Sequence, residues 1–287
     1  MLGQIIDGKA IAESVRNSIR QDIIKLKQEK GIVPGLTVIL VGDDPASQIY
    51  VRNKERACKD VGIKSQVIKL EKNTSQAELL DLIYKLNEDK ETHGILVQLP
   101  LPSHIDEGMV IEAIDPKKDV DGFHPVSAGK LFVGQPGLRP CTPKGIIRLI
   151  RETGTDIAGK HAVVIGRSNI VGKPVALMLL QNNATVTICH SKTKNLKEIA
   201  ASADILVVAI GQPETIDDGY IKEGAIVIDV GTTRVNGKLK GDVVFDKAIQ
   251  KAGWITPVPG GVGPMTIAML LENTVDRKST RLNSSHN

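Results

Sequence analysis

Short runs dense in β-branched residues alternate with longer segments of helical periodicity along the whole chain, and this alternation restricts the fold more than any other feature. "AIAESVRNSIRQDIIKLKQEKG" sets Ile11, Val15, Ile19, Ile23 and Leu26 on one helical face, with Gly31 as its stop. Next come "LTVILVG" as a buried strand, "ASQIYVRNKERACKDVG" as a helix and "IKSQVIKL" as a strand. "SQAELLDLIYKLNED" reads as a helix capped by Thr74 or Ser75, and "GILVQLPLP" as another strand. Successive strands joined by helices pair in parallel, because a parallel return needs a crossover long enough to hold a helix. A second series repeats the rhythm: "HAVVIG", a helix from Val171 to Asn182, "ATVTIC", a helix opening at Asn195, "DILVVAI" and "GAIVIDV". Between the two series, "DPKKDVDGFHPVSAGKLFVGQPGLRPCTP" (115–143) breaks the pattern with Gly, Pro and charge, and marks a domain boundary. The expectation is two α/β domains with parallel sheets, since 287 residues exceed the usual single-domain size.

Charge and cysteine content narrow the function. The 37 basic and 33 acidic residues are spread along the chain, which argues against a nucleic-acid or membrane surface and leaves room for a small anionic ligand. Cys58, Cys141 and Cys189 are far apart, with no C-x-x-C and no His pair at metal spacing, so neither a disulfide framework nor a metal site is expected. The opening "MLGQIIDGKAIAES" lacks a basic stretch followed by an apolar run, and no long apolar segment occurs, so a cytoplasmic location is expected.

The second series carries a ligand signal in "VVIGRSNIVGKPVALMLL". A strand runs into Gly166, a polar turn follows, and Gly172 and Pro174 open a helix, so that backbone N–H groups and a helix N-terminus converge where a phosphate is stabilised. The spacing matches neither G-x-G-x-x-G nor a P-loop, and a tight strand-to-helix turn explains an isolated glycine pair equally well. The end of the next strand tips the balance. A Rossmann unit for NAD carries Asp or Glu there to hold the ribose 2′-OH, whereas this chain reads "TICHSKTKN", with His190, Ser191, Lys192 and Lys194. Arg167 projects from the glycine loop itself. A 2′-phosphate suits such a site, so NADP is expected over NAD.

In the first series, Tyr50 and Lys54 are four apart on a predicted helix and share a face. An ordinary surface pair is the plain alternative. Gln98 is a lone polar residue at the carboxyl end of "GILVQLPLP", the end at which open α/β sheets bind ligands. Asp119 and Asp121 sit in "KKDVDGFHP", where turn formation alone accounts for Asp-Gly. "TPVPGGVGPMT" packs Pro257, Pro259, Gly260, Gly261, Gly263 and Pro264 into one loop, suited either to close backbone approach to a ligand or to a hinge.

Together, "YVRNK", "GILVQLPLP", "DPKKDVDGFHP", "GRSNIVGKP" and "TPVPGGVGPMT", in that order over roughly residues 2 to 276, resemble the bifunctional methylenetetrahydrofolate dehydrogenase/cyclohydrolases. The resemblance implies an N-terminal folate-site domain (1–140, completed by a helix at about 265–276), a Rossmann-like NADP domain (141–264), a cleft between them, and a homodimer. It implies oxidation of 5,10-methylenetetrahydrofolate with NADP, then hydrolysis of 5,10-methenyltetrahydrofolate to 10-formyltetrahydrofolate. Tyr50 would stack on or order the folate, and Lys54 would handle protons and activate water. Gln98 would orient Lys54, and Asp121 would pair with the pterin ring. Val97, Leu99, Pro259, Gly260, Gly261 and Gly263 complete the implied substrate contacts, and Gly166, Arg167, Ser168, Ser191 and Thr232 the cofactor contacts. A free lysine, with a pKa of about 10.4, is a poor base near neutrality, and partial burial beside an aromatic ring favours the neutral form.

A different Rossmann dehydrogenase, such as one acting on amino acids, and a non-catalytic NADP-binding regulator are the rival readings; a methylenetetrahydrofolate assay separates all three. The polar, aperiodic end "RKSTRLNSSHN" (277–287) departs from the family and reads as a disordered tail or a foreign extension.

Overall fold

The computed structural model describes residues 2–284, with side chains described to Asp276. In chain order the strands are β1 (Gln4–Ile5), β2 (Gly35–Val41), β3 (Lys64–Leu70), β4 (Gly94–Val97), β5 (His161–Ile165), β6 (Thr185–Cys189), β7 (Ile205–Val208), β8 (Ile226–Asp229), β9 (Thr233–Val235), β10 (Lys238–Lys240) and β11 (Trp254–Ile255). They form a three-stranded sheet, β3-β2-β4, a six-stranded sheet, β1-β11-β8-β7-β5-β6, and the two-stranded ribbon β10-β9. Every pairing in the two larger sheets is parallel, as the strand–helix alternation requires.

The chain divides into two compact units, one comprising residues 1–13, 131–135 and 140–269, the other residues 14–130, 136–139 and 270–287. The second unit holds the three-stranded sheet. All seven residues of β2 are buried, and Ile39, Val41, Ile95 and Val97 pack with Leu79, Ile83 and Leu86 of the helix Gln76–Glu88. That helix starts on a capping box: Ser75 Oγ accepts from Glu78 N, and Ser75 N donates to Glu78 Oε2 at 2.8 Å. Ser75, not Thr74, is therefore the cap. The helix Gly8–Lys30 ends where expected, with Gly31 at φ 66° and its N–H bonded to Lys27 O.

The other unit holds the six-stranded sheet, with Val163, Ile165, Leu206, Val208 and Val227 in one buried cluster. β1 is part of it, pairing with β11 at Gln4↔Trp254 and Ile5↔Ile255, so the chain's first residues group with this sheet rather than with residues 14–130.

Two segments depart from the sequence reading. Residues 115–143, read as irregular, contain the helix Pro125–Phe132 and the start of the helix Cys141–Glu152. Pro125 supplies the fixed φ that suits a first helical position, and Asp119 accepts from the N–H groups ahead of it. The last helix runs from Val262 through Ser284, so residues 277–284 are helical where an irregular tail was expected. That stretch contains neither Gly nor Pro and has Arg277, Lys278, Arg281 and Leu282, all good helix formers. Residues 285–287 lie outside the described residues.

Candidate active site

The helix Pro45–Val61 positions Tyr50 and Lys54. Its N-terminus is fixed by Asp44, which accepts from Ser47 N at 2.7 Å, and its C-terminus by Gly62 in the left-handed conformation. Val51, Cys58 and Val61 face the core, which leaves Tyr50 41% exposed and Lys54 half-buried on the flank of the buried stripe. Lys54 Nζ donates to Gln98 Oε1 at 2.9 Å. Gln98 follows the last residue of β4; its backbone N–H donates to Ile39 O at 2.9 Å and its side-chain Nε2 to Leu99 O at 2.7 Å. The amide therefore has one definite orientation, oxygen toward the lysine. Val97 is buried, Leu99 is half-buried, and the Leu99–Pro100 bond is cis.

Asp121 reaches the same end of this sheet because the segment before it runs beside β4. Ile95 N donates to Lys118 O at 2.8 Å, Ile95 bridges Asp119 in parallel, and Gly94 lacks a Cβ where one would strike Val120. Two residues beyond that bridge, Asp121 comes level with Val97, the last residue of β4, and its side chain is half-buried. Burial pushes its carboxyl up to about 6, against the Lys54 charge, which favours ionisation; the Asp119 charge adds to the rise. The two aspartates of "KKDVDGFHP" thus have different work. Asp119 is buried and saturated, accepting from Gly122 N, Phe123 N, His124 N and Ser127 Oγ at 2.9–3.2 Å, and serves the turn. Asp121 is the carboxylate on which the Lys54 charge acts.

Asn273 was not singled out in the sequence. Fully buried on the last helix, it donates from Nδ2 to Val120 O at 2.9 Å and to Arg139 O at 3.0 Å, so it anchors the residue next to Asp121. The signal for it was the polar triplet Glu272-Asn273-Thr274, which interrupts the apolar stretch "AMLLENTV".

In the other unit, Gly166, Arg167, Ser168, Ser191 and Thr232 follow the carboxyl ends of three strands of one parallel sheet. Ile165 pairs with Cys189, and Gly166 N donates to Cys189 O at 2.9 Å, so Arg167 and Ser191 each lie two residues past a paired position on adjacent strands. Both are exposed. Thr232 lies beyond β8, and from β6 to β8 the sheet spans roughly 14 Å. A Cβ on Gly166 would collide with Ala209 O, and one on Gly172 with Gly166 O, so both glycines are required for the tight turn. The first N–H groups of the helix Gly172–Gln181 are less free than the sequence suggested. Ser168 Oγ accepts from Val171 N and Gly172 N at 3.2 Å, and Ser168 O accepts from Lys173 N at 3.0 Å. What the turn offers an anion is the helix dipole, the Arg167 side chain and the exposed Ser191, with no carboxylate at the end of β6. These residues fit a phosphorylated dinucleotide.

The loop with Pro259, Gly260, Gly261 and Gly263 belongs to this same unit. Gly260 has φ 112°, and a Cβ on Gly8 would strike Gly261 O, so loop and helix start are in backbone contact. Pro259 and Gly263 are exposed. Among the described residues no group of His, Cys, Asp or Glu is arranged to hold a metal ion, and no helix is long and apolar enough to cross a membrane.

Residues 6–121 match the family described as tetrahydrofolate dehydrogenase/cyclohydrolase, catalytic domain, and residues 140–282 its NAD(P)-binding domain. The chain is 62% identical over 277 residues to the bifunctional protein FolD of Moorella thermoacetica, covering 96% of this chain and 99% of that protein. Among solved structures, the bifunctional FolD enzyme of Campylobacter jejuni superposes with a TM-score of 0.95 at 51% identity, covering 97% of this chain and 99% of that one. The Trypanosoma brucei dehydrogenase-cyclohydrolase, solved with NADP cofactor and inhibitor, superposes with a TM-score of 0.94 at 40% identity over 98% and 99% of the two chains. With both domains matched in order, this chain belongs to the tetrahydrofolate dehydrogenase/cyclohydrolase family of bifunctional enzymes.

Proposed function

We propose that the enzyme oxidises 5,10-methylenetetrahydrofolate with NADP to 5,10-methenyltetrahydrofolate and then adds water to give 10-formyltetrahydrofolate, releasing a proton. The observation that carries this reading is the 2.9 Å hydrogen bond from Lys54 Nζ to Gln98 Oε1, with Tyr50 one helical turn away and Asp121 near enough for the lysine charge to act on its carboxyl. Bound NADP supplies the hydride acceptor, so the first step asks the protein for position rather than for an acid or base.

In the proposed roles, Tyr50 presents an exposed ring on which the folate stacks, and Lys54 passes protons to and from the attacking water. Gln98 keeps the lysine aimed, and Asp121 accepts hydrogen bonds from the pterin ring. Val97, Leu99, Pro259, Gly260, Gly261 and Gly263 complete the proposed substrate contacts. Gly166, Arg167, Ser168, Ser191 and Thr232 form the proposed NADP contacts, with Arg167 and Ser191 toward the 2′-phosphate. We assign folate binding to residues 1–140 with about 265–276, and the cofactor to residues 141–264. A cytoplasmic homodimer is part of the same proposal, and sedimentation of the purified protein tests the oligomer.

The deciding experiment is a spectrophotometric assay with methylenetetrahydrofolate and NADP or NAD side by side, followed by decay of the methenyl product. Reduction of NADP with accelerated methenyl decay is expected. Absence of either activity overturns the corresponding half.

A further inference from the structure

Asp229 and Asp242 are both buried, and neither has a role in the site as so far described. Asp229 is the last residue of β8; its Oδ1 accepts from Gly231 N and Asp242 N and its Oδ2 from Val243 N, all at 2.9 Å. Asp242 Oδ2 accepts from Ile210 N at 2.8 Å and Gly211 N at 2.9 Å, while its Oδ1 is buried with no hydrogen-bond partner. Gly231 and Gly241 lie directly on the pair: a Cβ on Gly231 would strike Asp242, and one on Gly241 would strike Asp229 Oδ2.

The two carboxylates therefore tie together loops that follow different strands. Asp242 fixes Ile210–Gly211 after β7, directly after Ala209, whose carbonyl packs against Gly166 of the glycine turn. Asp229 fixes Gly231, directly before Thr232, and also holds the backbone of Asp242 in place. Burying two carboxylates on backbone N–H donors alone, with one oxygen unpaired, is unfavourable, and a core built for stability has cheaper ways to close a loop.

We infer that Asp242, held by Asp229, is a positioning residue for the dinucleotide: it sets Ile210–Gly211 against the glycine turn while Asp229 sets Gly231–Thr232, so that both rims of the cofactor site are fixed before the cofactor arrives. The inference rests on the proposed NADP site. It assigns to these two residues a task that no direct contact with the cofactor would reveal.

The test compares the unmodified enzyme with Asp242→Ala and Asp242→Glu, measuring the Kd for NADPH by its fluorescence and, on the same samples, methenyltetrahydrofolate hydrolysis, which uses no dinucleotide. Asp242→Ala is expected to raise Kd at least about ten-fold, the scale of one lost charge-assisted hydrogen bond, with hydrolysis within about two-fold. Asp242→Glu keeps an acceptor for the two N–H groups but moves it by one methylene, and serves if the alanine variant does not fold; it too is expected to weaken NADPH binding while sparing hydrolysis. An unchanged Kd in whichever variant folds, or equal loss of binding and hydrolysis, overturns the inference. Failure of the unmodified enzyme to bind NADPH would instead overturn the proposed cofactor site.

Discussion

Gln98 stands between two partners that fix its amide completely: its oxygen accepts from Lys54 Nζ at 2.9 Å and its nitrogen donates to Leu99 O at 2.7 Å. A glutamine held in this way aims a flexible four-carbon side chain at one place. Gln98→Ala is accordingly expected to lower kcat for methenyltetrahydrofolate hydrolysis about ten-fold or more, with a smaller change in KM. Steady-state kinetics of that reaction alone decide the matter, and an unchanged kcat would show that the lysine needs no such guide.

Lys54→Met should abolish hydrolysis while leaving folate binding and part of the dehydrogenase activity, because hydride transfer depends on position and hydrolysis on proton movement. General acid–base assistance is worth about 10²–10⁴-fold, so the loss stands clear of the spontaneous reaction. Lys54→Arg should fail as well, since a guanidinium stays protonated. Tyr50→Phe should be milder than Tyr50→Ala, because stacking survives the loss of the hydroxyl. Parallel assays of NADPH formation and methenyl decay on each variant check the set; hydrolysis by Lys54→Met at the unmodified rate would remove the lysine from its role.

Arg167 is exposed beside the end of β6, where His190 to Lys194 carry no acid. Arg167→Ala should raise KM for NADP about ten-fold or more and barely change that for NAD, the loss of one charge-assisted contact to the 2′-phosphate. Equal effects on both cofactors would place the arginine elsewhere.

Asp121 predicts a pH signature in stability. Its folded-state pKa is raised from 3.8 to about 6, so its contribution is fully present below about pH 4 and is lost as pH rises toward 6, where the unfolded chain gives up the proton first. Keeping this half-buried carboxylate ionised should cost about 1–2 kcal/mol at neutral pH after solvent screening. Asp121→Asn should therefore raise Tm by a few degrees at pH 7.5 and little at pH 4, while dehydrogenase activity falls. Thermal melts at the two pH values are the check, and an identical shift at both would exclude ionisation as the cause.

The alternation of β-branched runs with helical periodicity was enough to establish parallel α/β architecture, because those periods are local properties of neighbouring side chains. "SQAELLDLIYKLNED" carries its own capping box, and Gly31 stops its helix through its own backbone freedom, so these ends were legible residue by residue. The pairing of Tyr50 with Lys54 followed from helical spacing alone. The partner that orients the lysine did not follow from spacing, and only the family resemblance named it, since Gln98 lies 44 positions away and meets Lys54 through the register of β4 against β2. Turn chemistry left Asp119 and Asp121 alike, and only the family resemblance singled out Asp121; the physical difference came with the bridge to Ile95, which buries Asp119 among backbone donors and leaves Asp121 at the strand end. Asn273 lies 153 positions from Val120, and Asp242 lies 31 from Gly211, so the contacts that make them matter have no local period. Periodicity reports which face of an element is apolar; only the packed sheet decides which polar groups end up facing one another, because burial of backbone N–H and C=O groups forces distant segments to satisfy them.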